Sequence, residues 1–367
     1  MSLYLSKTLI LGIMFRICMV LLSFKISISY DIQASFIFGD SLLDVGNNNY
    51  ISSLAKANHY PYGIDFGMPT GRFCNGRTVL DVIEQELRLG FSPPYLSPTT
   101  SGSVILKGVN YASAAAGILN YSGHIFGGRI NFDAQIDNFA NTREEIINKI
   151  GVPATLNLLK NALFTVAFGS NDFLDNYLTP PISVPEMELL SPKSFVVIMI
   201  STFRVQLTRL FNLGARKMVV VNVGPIGCIP FMRDFNPQAG NKCVTFPNQL
   251  AQLFNTQLKR LIEELRNNLE GSLVVYADVY HIMEDIIMNY NKYGFENPNS
   301  ACCHLAGRFG GLIPCDGYSK ICVDRSKYVF WDTFHPSDSV NVIIAKRLLN
   351  GDVNDVSPIN VWQLLQA

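Results

Sequence analysis

A chain of 367 residues, nearly half apolar (48%) and only 16% charged, has the length and composition to bury a large core, which excludes a disordered or fibrous protein. Its 29 basic and 29 acidic side chains balance, and three of the basic ones lie in the first 29 residues. The weakly acidic remainder gives no footing for nucleic-acid binding.

The chain opens with positive residues, an apolar run at 17–24, and small residues at Ser27 and Ser29, the pattern of a secretory signal peptide. Arg16 and Lys25 interrupt that run well short of the roughly 20 apolar residues of a spanning helix. We expect residues 1–29 to be a cleaved signal, the product to be secreted and extracellular, and no stable membrane anchor. No later stretch reads as long and apolar enough to span a bilayer. Strand patterns follow at 35–38, 163–168, 217–223, 273–277 and 328–331, and helical patterns at 78–87, 130–149, 194–213, 246–269, 281–290 and 336–349. The strands are apolar throughout rather than alternating, as a parallel sheet covered on both faces requires. Their alternation with helices points the same way. With no Pro/Ser linker, internal repeat or low-complexity tract, residues 30–367 read as a single α/β domain.

The stretch FIFGDSLLDVGNNNY (36–50) sets a strand against Gly39-Asp40-Ser41 and a run of asparagines, residues that commonly stop strands. In open α/β sheets ligands gather at the carboxyl ends of strands, where Ser41, residues 169–172 and residues 332–335 fall. An alcohol nucleophile needs an imidazole to take its proton and a carboxylate to orient that imidazole. WDTFHPSD supplies Asp332 three residues before His335, although such a pair taken alone is commonly structural. Pro336 biases His335 out of the helical region and is expected to open the next helix at its first position. Donors for an oxyanion have two sources. NYASAAAGI (110–118) ends its small residues at Gly117, whose N–H no side chain shields, and FGSNDF (168–173) carries the Asn171 amide. Each alone reads as a packing patch and a turn. The Ser41 N–H joins them if a helical turn begins there.

Of eight cysteines, Cys18 would leave with the signal. Cys228 and Cys243 suit a local bridge, worth about 3 kcal/mol for a loop of this size. For Cys302, Cys303, Cys315 and Cys322 a zinc site with His304 is the rival reading, but adjacent cysteines are poorly spaced for a tetrahedral set. In an exported chain disulfides are expected there, with the pairing open, and Cys74 is left as a buried thiol. Asn120-Tyr121-Ser122 is a glycosylation acceptor sequence. TGRFCNGRTVLDVI (70–83) reads as a turn feeding a helix with no catalytic role. His59, His124 and His281 lack an acid at useful spacing, and the stripe Phe246, Leu250, Leu253, Phe254, Leu258 and Leu261 reads as core.

The blocks FGDSLLDVGNNN, GVNYASAAAGI, AFGSNDF, VNVGPIGCIP and WDTFHPS stand in the order found in plant GDSL esterase/lipase proteins of the SGNH hydrolase superfamily. The chain resembles them from about residue 31 to about residue 351. The resemblance implies a three-layer α/β/α sandwich with a mainly parallel sheet of about five strands. It implies Ser41 as nucleophile, Asp332 and His335 as acid and base, and the Ser41 N–H, Gly117 and Asn171 as oxyanion donors. It further implies a carboxylic ester substrate, a lipid or another acyl ester, with no cofactor and no metal. The G-x-S-x-G pentapeptide of α/β-hydrolases is absent, since Leu43 takes the fifth place around Ser41. His304 departs from the glycine that commonly follows the paired cysteines, and Arg16 leaves the signal's apolar core weaker than usual. The same acyl-enzyme would serve an acyltransferase, and a secreted binding protein could keep the fold without turnover; five intact site residues argue against the latter. Acyl length, alcohol part and oligomeric state stay open.

Overall fold

The computed structural model describes residues 32–178 and 190–367; the expected signal segment, 1–29, lies outside them. Five parallel strands form the sheet: β1 (Ser35–Gly39), β2 (Gly108–Asn110), β3 (Leu163–Ala167), β4 (Lys217–Val221) and β5 (Leu273–Ala277), in the order β5-β4-β3-β1-β2. A sixth strand, Val356–Ser357, runs antiparallel along β5. Every residue of β1 and β3 is buried, which is why these strands are apolar on both faces.

Helices cover the sheet on two sides. α2 (Phe132–Ile150), α3 (Val152–Asn161), α4 (Pro192–Asn212) and α6 (Thr245–Asn268) form one layer, α2 packing on both α3 and α4 and α4 on α6, with α5 (Pro230–Phe235) a short turn between β4 and α6. α1 (Val79–Glu86), α7 (Val279–Met288), α8 (Asp338–Asn350) and α9 (Val361–Gln366) form the other layer, centred on α8. The result is an α/β/α sandwich in which Ile32–Ala367 is one unit.

Four of the five expected strands lie in this sheet. The fifth does not: Tyr328–Phe330 pairs with Asn297–Ala301 in a separate two-stranded ladder. Its place is taken by β2, three residues too short and too polar at Asn110 to read as a strand. Helix α3 was likewise not expected. Pro336 does not open α8; it stays extended and bridges Phe330, so Ser337 is the N-cap and the helix starts at Asp338. Contrary to the sequence reading, α4 is long and apolar enough by length and composition to cross a membrane. It nonetheless buries Phe195, Met199, Phe203, Leu207 and Leu210, while Arg209 pairs with Asp133 and Asp137 of α2. Along α6, Leu250, Phe254, Leu258 and Leu261 are core, but Phe246 is exposed at the first turn.

The cysteines pair as Cys228–Cys243, Cys302–Cys322 and Cys303–Cys315, so the sulfurs of the rival zinc set are spent in disulfides. Cys74 is free and buried.

Candidate active site

The sheet order reverses between β1 and β3: the chain leaves β1 toward β2 on one side and then returns past it to build β3, β4 and β5 on the other. That is the position where an open α/β sheet leaves a crevice at its carboxyl edge. Gly39 and Ala167, the last residues of β1 and β3, stand opposite each other there. A side chain at 39 would press on the Ala167 carbonyl at 3.0 Å. Buried Gln135 of α2 brackets the Gly39 peptide, accepting its N–H at 3.0 Å and donating to its C=O at 2.8 Å. The Asp40 carbonyl then accepts from the N–H groups of Leu43 and Asp44, turning the chain at once and leaving Ser41 half-buried at the tip.

The asparagine run is not a solvated loop. Asn47 and Asn48 are buried; Asn47 donates to the carbonyls of Asn110 and Ala112 at 2.9 Å, and Asn48 donates to that of Ala114 at 3.2 Å. Asp44 accepts from the Ala114 N–H at 3.1 Å. Unpaired, these polar groups would be costly inside; paired, they sew residues 110–114 to the Ser41 turn.

The imidazole arrives from elsewhere. Beyond the ladder strand Tyr328–Phe330, Cys303 donates its N–H to the Trp331 carbonyl at 2.7 Å, and Trp331 donates its own to the His335 carbonyl at 2.8 Å. Asp332 Oδ1 accepts from the N–H groups of Phe334 and His335 at 2.8 and 2.7 Å, closing a tight turn. The same oxygen lies 2.8 Å from His335 Nδ1, and His335 Nε2 lies 2.7 Å from Ser41 Oγ. With the Nδ1 proton held by the carboxylate, Nε2 is left to accept from the serine hydroxyl. Burial alone would raise the Asp332 pKa, but the His335 charge and the donors around it outweigh burial and hold it below the usual carboxylate range.

Two residues of this arrangement were not found by sequence reasoning. Tyr62 Oη donates to Asp332 Oδ2 at 2.7 Å, and the Phe73 ring packs on His335 with centroids 5.1 Å apart. Phe73 belongs to the 70–83 segment given no catalytic role; the segment supplies no reacting group, and it reaches the site through this ring and the cavity wall. It clamps the chain after His335: Asn75 Oδ1 accepts from the Asp338 N–H at 2.9 Å, and Arg77 pairs with Asp338 at 2.9 Å.

On the β3 side, Asn171 spends one amide hydrogen on the Ala116 carbonyl at 2.9 Å. Buried Asp172 accepts from Ile118 N–H and Leu119 N–H at 2.9 Å and from Ser122 Oγ at 2.6 Å, tying the small-residue loop to the end of β3. Gly117 is packed within that tie; a side chain there would collide with Ser122 and Asp172.

Ser41, Asn171, Asp332 and His335 all line one cavity of about 510 Å³, whose wall is largely apolar and includes Leu42, Leu54, Phe126, Leu174, Met283 and Ile344. Gly117 is not among its lining residues, whereas Ala115, held at φ 66°, is. That left-handed backbone in a non-glycine residue had no signature in the sequence. His59 reaches the rim; His304 does not, and pairs with Lys320 in a two-residue ladder.

The model of the GDSL-like lipase/acylhydrolase family matches residues 36–348. The chain belongs to this family. Curated relatives agree over most of their length. One GDSL esterase/lipase of Arabidopsis thaliana is 58% identical over 334 residues, 91% of each chain. Another from the same plant is 48% identical across 90% of this chain and 87% of its own, and Arabidopsis GDSL esterase/lipase 7 is 45% identical across 90% and 91%. In this GDSL chain the family-model match runs from β1 to the end of α8, so both halves of the crevice fall within it.

Proposed function

We propose that this GDSL protein is a serine esterase/lipase that hydrolyses carboxylic esters through an acyl-enzyme on Ser41. The observation that carries the reading is the line Asp332–His335–Ser41, with 2.8 Å at Nδ1 and 2.7 Å at Nε2, in the wall of a largely apolar cavity. His335 Nε2 takes the hydroxyl proton as Ser41 Oγ attacks the ester carbonyl, and the imidazolium then returns that proton to the departing alkoxide. Water, deprotonated by the same nitrogen, attacks the acyl carbonyl, and Ser41 leaves reprotonated. The oxyanion in each step rests on the Ser41 N–H, the Asn171 amide and a main-chain N–H of the 115–117 loop. Of that loop's two candidates, Gly117 comes from the motif and Ala115 from the cavity wall. The apolar wall suits an acyl chain.

The same reading takes residues 1–29 as a removed signal and residues 30–367 as one secreted domain. The three disulfides support an oxidising destination. Asn120 is exposed and suits a glycan. The test is hydrolysis of a chromogenic short-chain ester beside Ser41→Ala. We expect the variant to lose at least about 10⁴-fold in kcat while keeping the wild-type melting temperature. Equal rates in the two proteins refute the mechanism.

A further inference from the structure

One acid in the cavity wall has no use in this mechanism. Ser170, Asn171, Leu174 and Asp175 all line the cavity, which puts Asp175 one turn beyond Asn171 on the same wall. The turn that carries it, Asp172–Tyr177, is a π-helix, a widened geometry common at functional sites.

Its neighbours show what a satisfied carboxylate looks like here. Asp172 takes three donors, and Asp40 takes the Leu42 N–H at 3.0 Å. Asp175, by contrast, accepts no hydrogen bond among the described residues: its Oδ2 is shut off from solvent, which leaves Oδ1 as the oxygen that a ligand in the cavity can reach. Leaving a carboxyl oxygen unpaired in a largely apolar wall is costly, and such groups in native proteins call for an explanation. Burial first, and then the charges of Asp172 and Asp40, push its pKa up to about 7. No hydrogen bond from the described residues opposes that rise.

We propose that the Asp175 carboxyl binds a substrate hydroxyl close to the scissile ester, so that the cavity selects hydroxylated esters over their plain counterparts. A hydroxyl both donates and accepts, and so pairs with the carboxyl in either protonation state. An anionic group is disfavoured, because Asp40 and Asp172 stand nearby. The hydroxyl belongs either to the acyl chain or to the alcohol.

This inference rests on the esterase reading, and its test separates the two. The values of kcat/KM are compared for 4-nitrophenyl butanoate against its 3-hydroxybutanoate, and for propyl butanoate against 2,3-dihydroxypropyl butanoate. We expect wild type to favour the hydroxylated member at least about tenfold in one pair, and that pair identifies which side of the ester carries the group. The preference should fall several-fold in Asp175→Asn, which keeps the shape but not the charge, and vanish in Asp175→Ala. A wild-type ratio near one in both pairs, or an unchanged ratio in Asp175→Ala, overturns the proposal while leaving the esterase intact. No hydrolysis of any of the four esters by wild type overturns both.

Discussion

The two halves of the crevice are held by different means. Ser41 and Asn171 stand at the ends of central strands, on the main core, and are stitched by side chains reaching main chain: Gln135 to Gly39, Asn47 to Asn110 and Ala112, Asp172 to Ile118 and Leu119. Asp332 and His335 follow a strand outside the central sheet. They sit over a satellite cluster of Tyr62, Phe73, Cys302, Cys303, Cys315 and Trp331, closed by two disulfides. A small core buries too little surface to order a loop unaided, and covalent links compensate. Ser41, the proposed nucleophile, is therefore positioned by the fold as a whole, and His335, its proposed base, by a local, cross-linked patch.

The sharpest probe of that contrast is Asp332→Asn. An amide in place of the carboxylate keeps the volume but favours the wrong imidazole tautomer, and in a serine-protease triad the analogous change costs about 10⁴ in kcat, the magnitude we expect here. Stopped-flow or steady-state ester hydrolysis reads the loss, and the melting temperature should move little. A loss under tenfold would mean that Asp332 does not orient His335. Next in size is the double change Cys302→Ser with Cys322→Ser. Removing that bridge should cost about 2–5 kcal/mol in a denaturant titration and lower activity before the far-ultraviolet signal of the sheet changes. If activity and sheet are lost together at every denaturant concentration, the two halves are not separately held.

The difference between the halves also explains how much the sequence disclosed. Ser41, Asp332 and His335 could be singled out because each is a chemistry-bearing residue next to an apolar strand pattern, but each signal was weak alone and only the resemblance of the ordered blocks joined them. Tyr62 was not, since its hydrogen bond to Asp332 spans 270 positions and no local spacing announces it. The asparagines at 47 and 48 read as a loop because composition says polar and exposed; their burial depends on carbonyls of residues 110–114 that only the fold brings near. The 328–331 run was apolar enough for the central sheet, but it lies outside it: Val329 and Phe330 join the main core, Trp331 the satellite cluster, and the strand touches α8. Gly117 was singled out for freedom of its N–H, while its neighbours Ser122 and Asp172 show that lack of a side chain is needed for packing.

A smaller effect belongs to Tyr62→Phe, which removes a single donor to Asp332 Oδ2 and leaves the ring in place. A hydrogen bond to a charged group is worth about 1.5–3 kcal/mol, of which only the part felt by the reacting imidazole reaches the rate. We expect roughly a tenfold fall in kcat with KM unchanged. An unchanged kcat would reduce Tyr62 to packing.

The smallest expected effect is on stability against pH, and its sign differs between the halves. On the Ser41 side, burial lifts Asp40 and Asp44 to about 6 and Asp175 to about 7. In the unfolded chain these groups titrate near 4, so between about pH 4 and 7 the folded state binds more protons and stability falls as pH rises. Asp332, on the base side, is depressed: its contribution is present above its ordinary value and is lost only as pH falls through its lower folded value. The denaturation midpoint should therefore be higher at about pH 5 than at about pH 8, and turn down again below about pH 4. In Asp44→Asn the acid-side gain should shrink, because one of the protons taken up by the folded state is gone. A midpoint that climbs steadily from pH 5 to pH 8 would show that these carboxyls are already ionised in the folded protein, and that the carboxyl cluster beneath Ser41 is solvated rather than sealed.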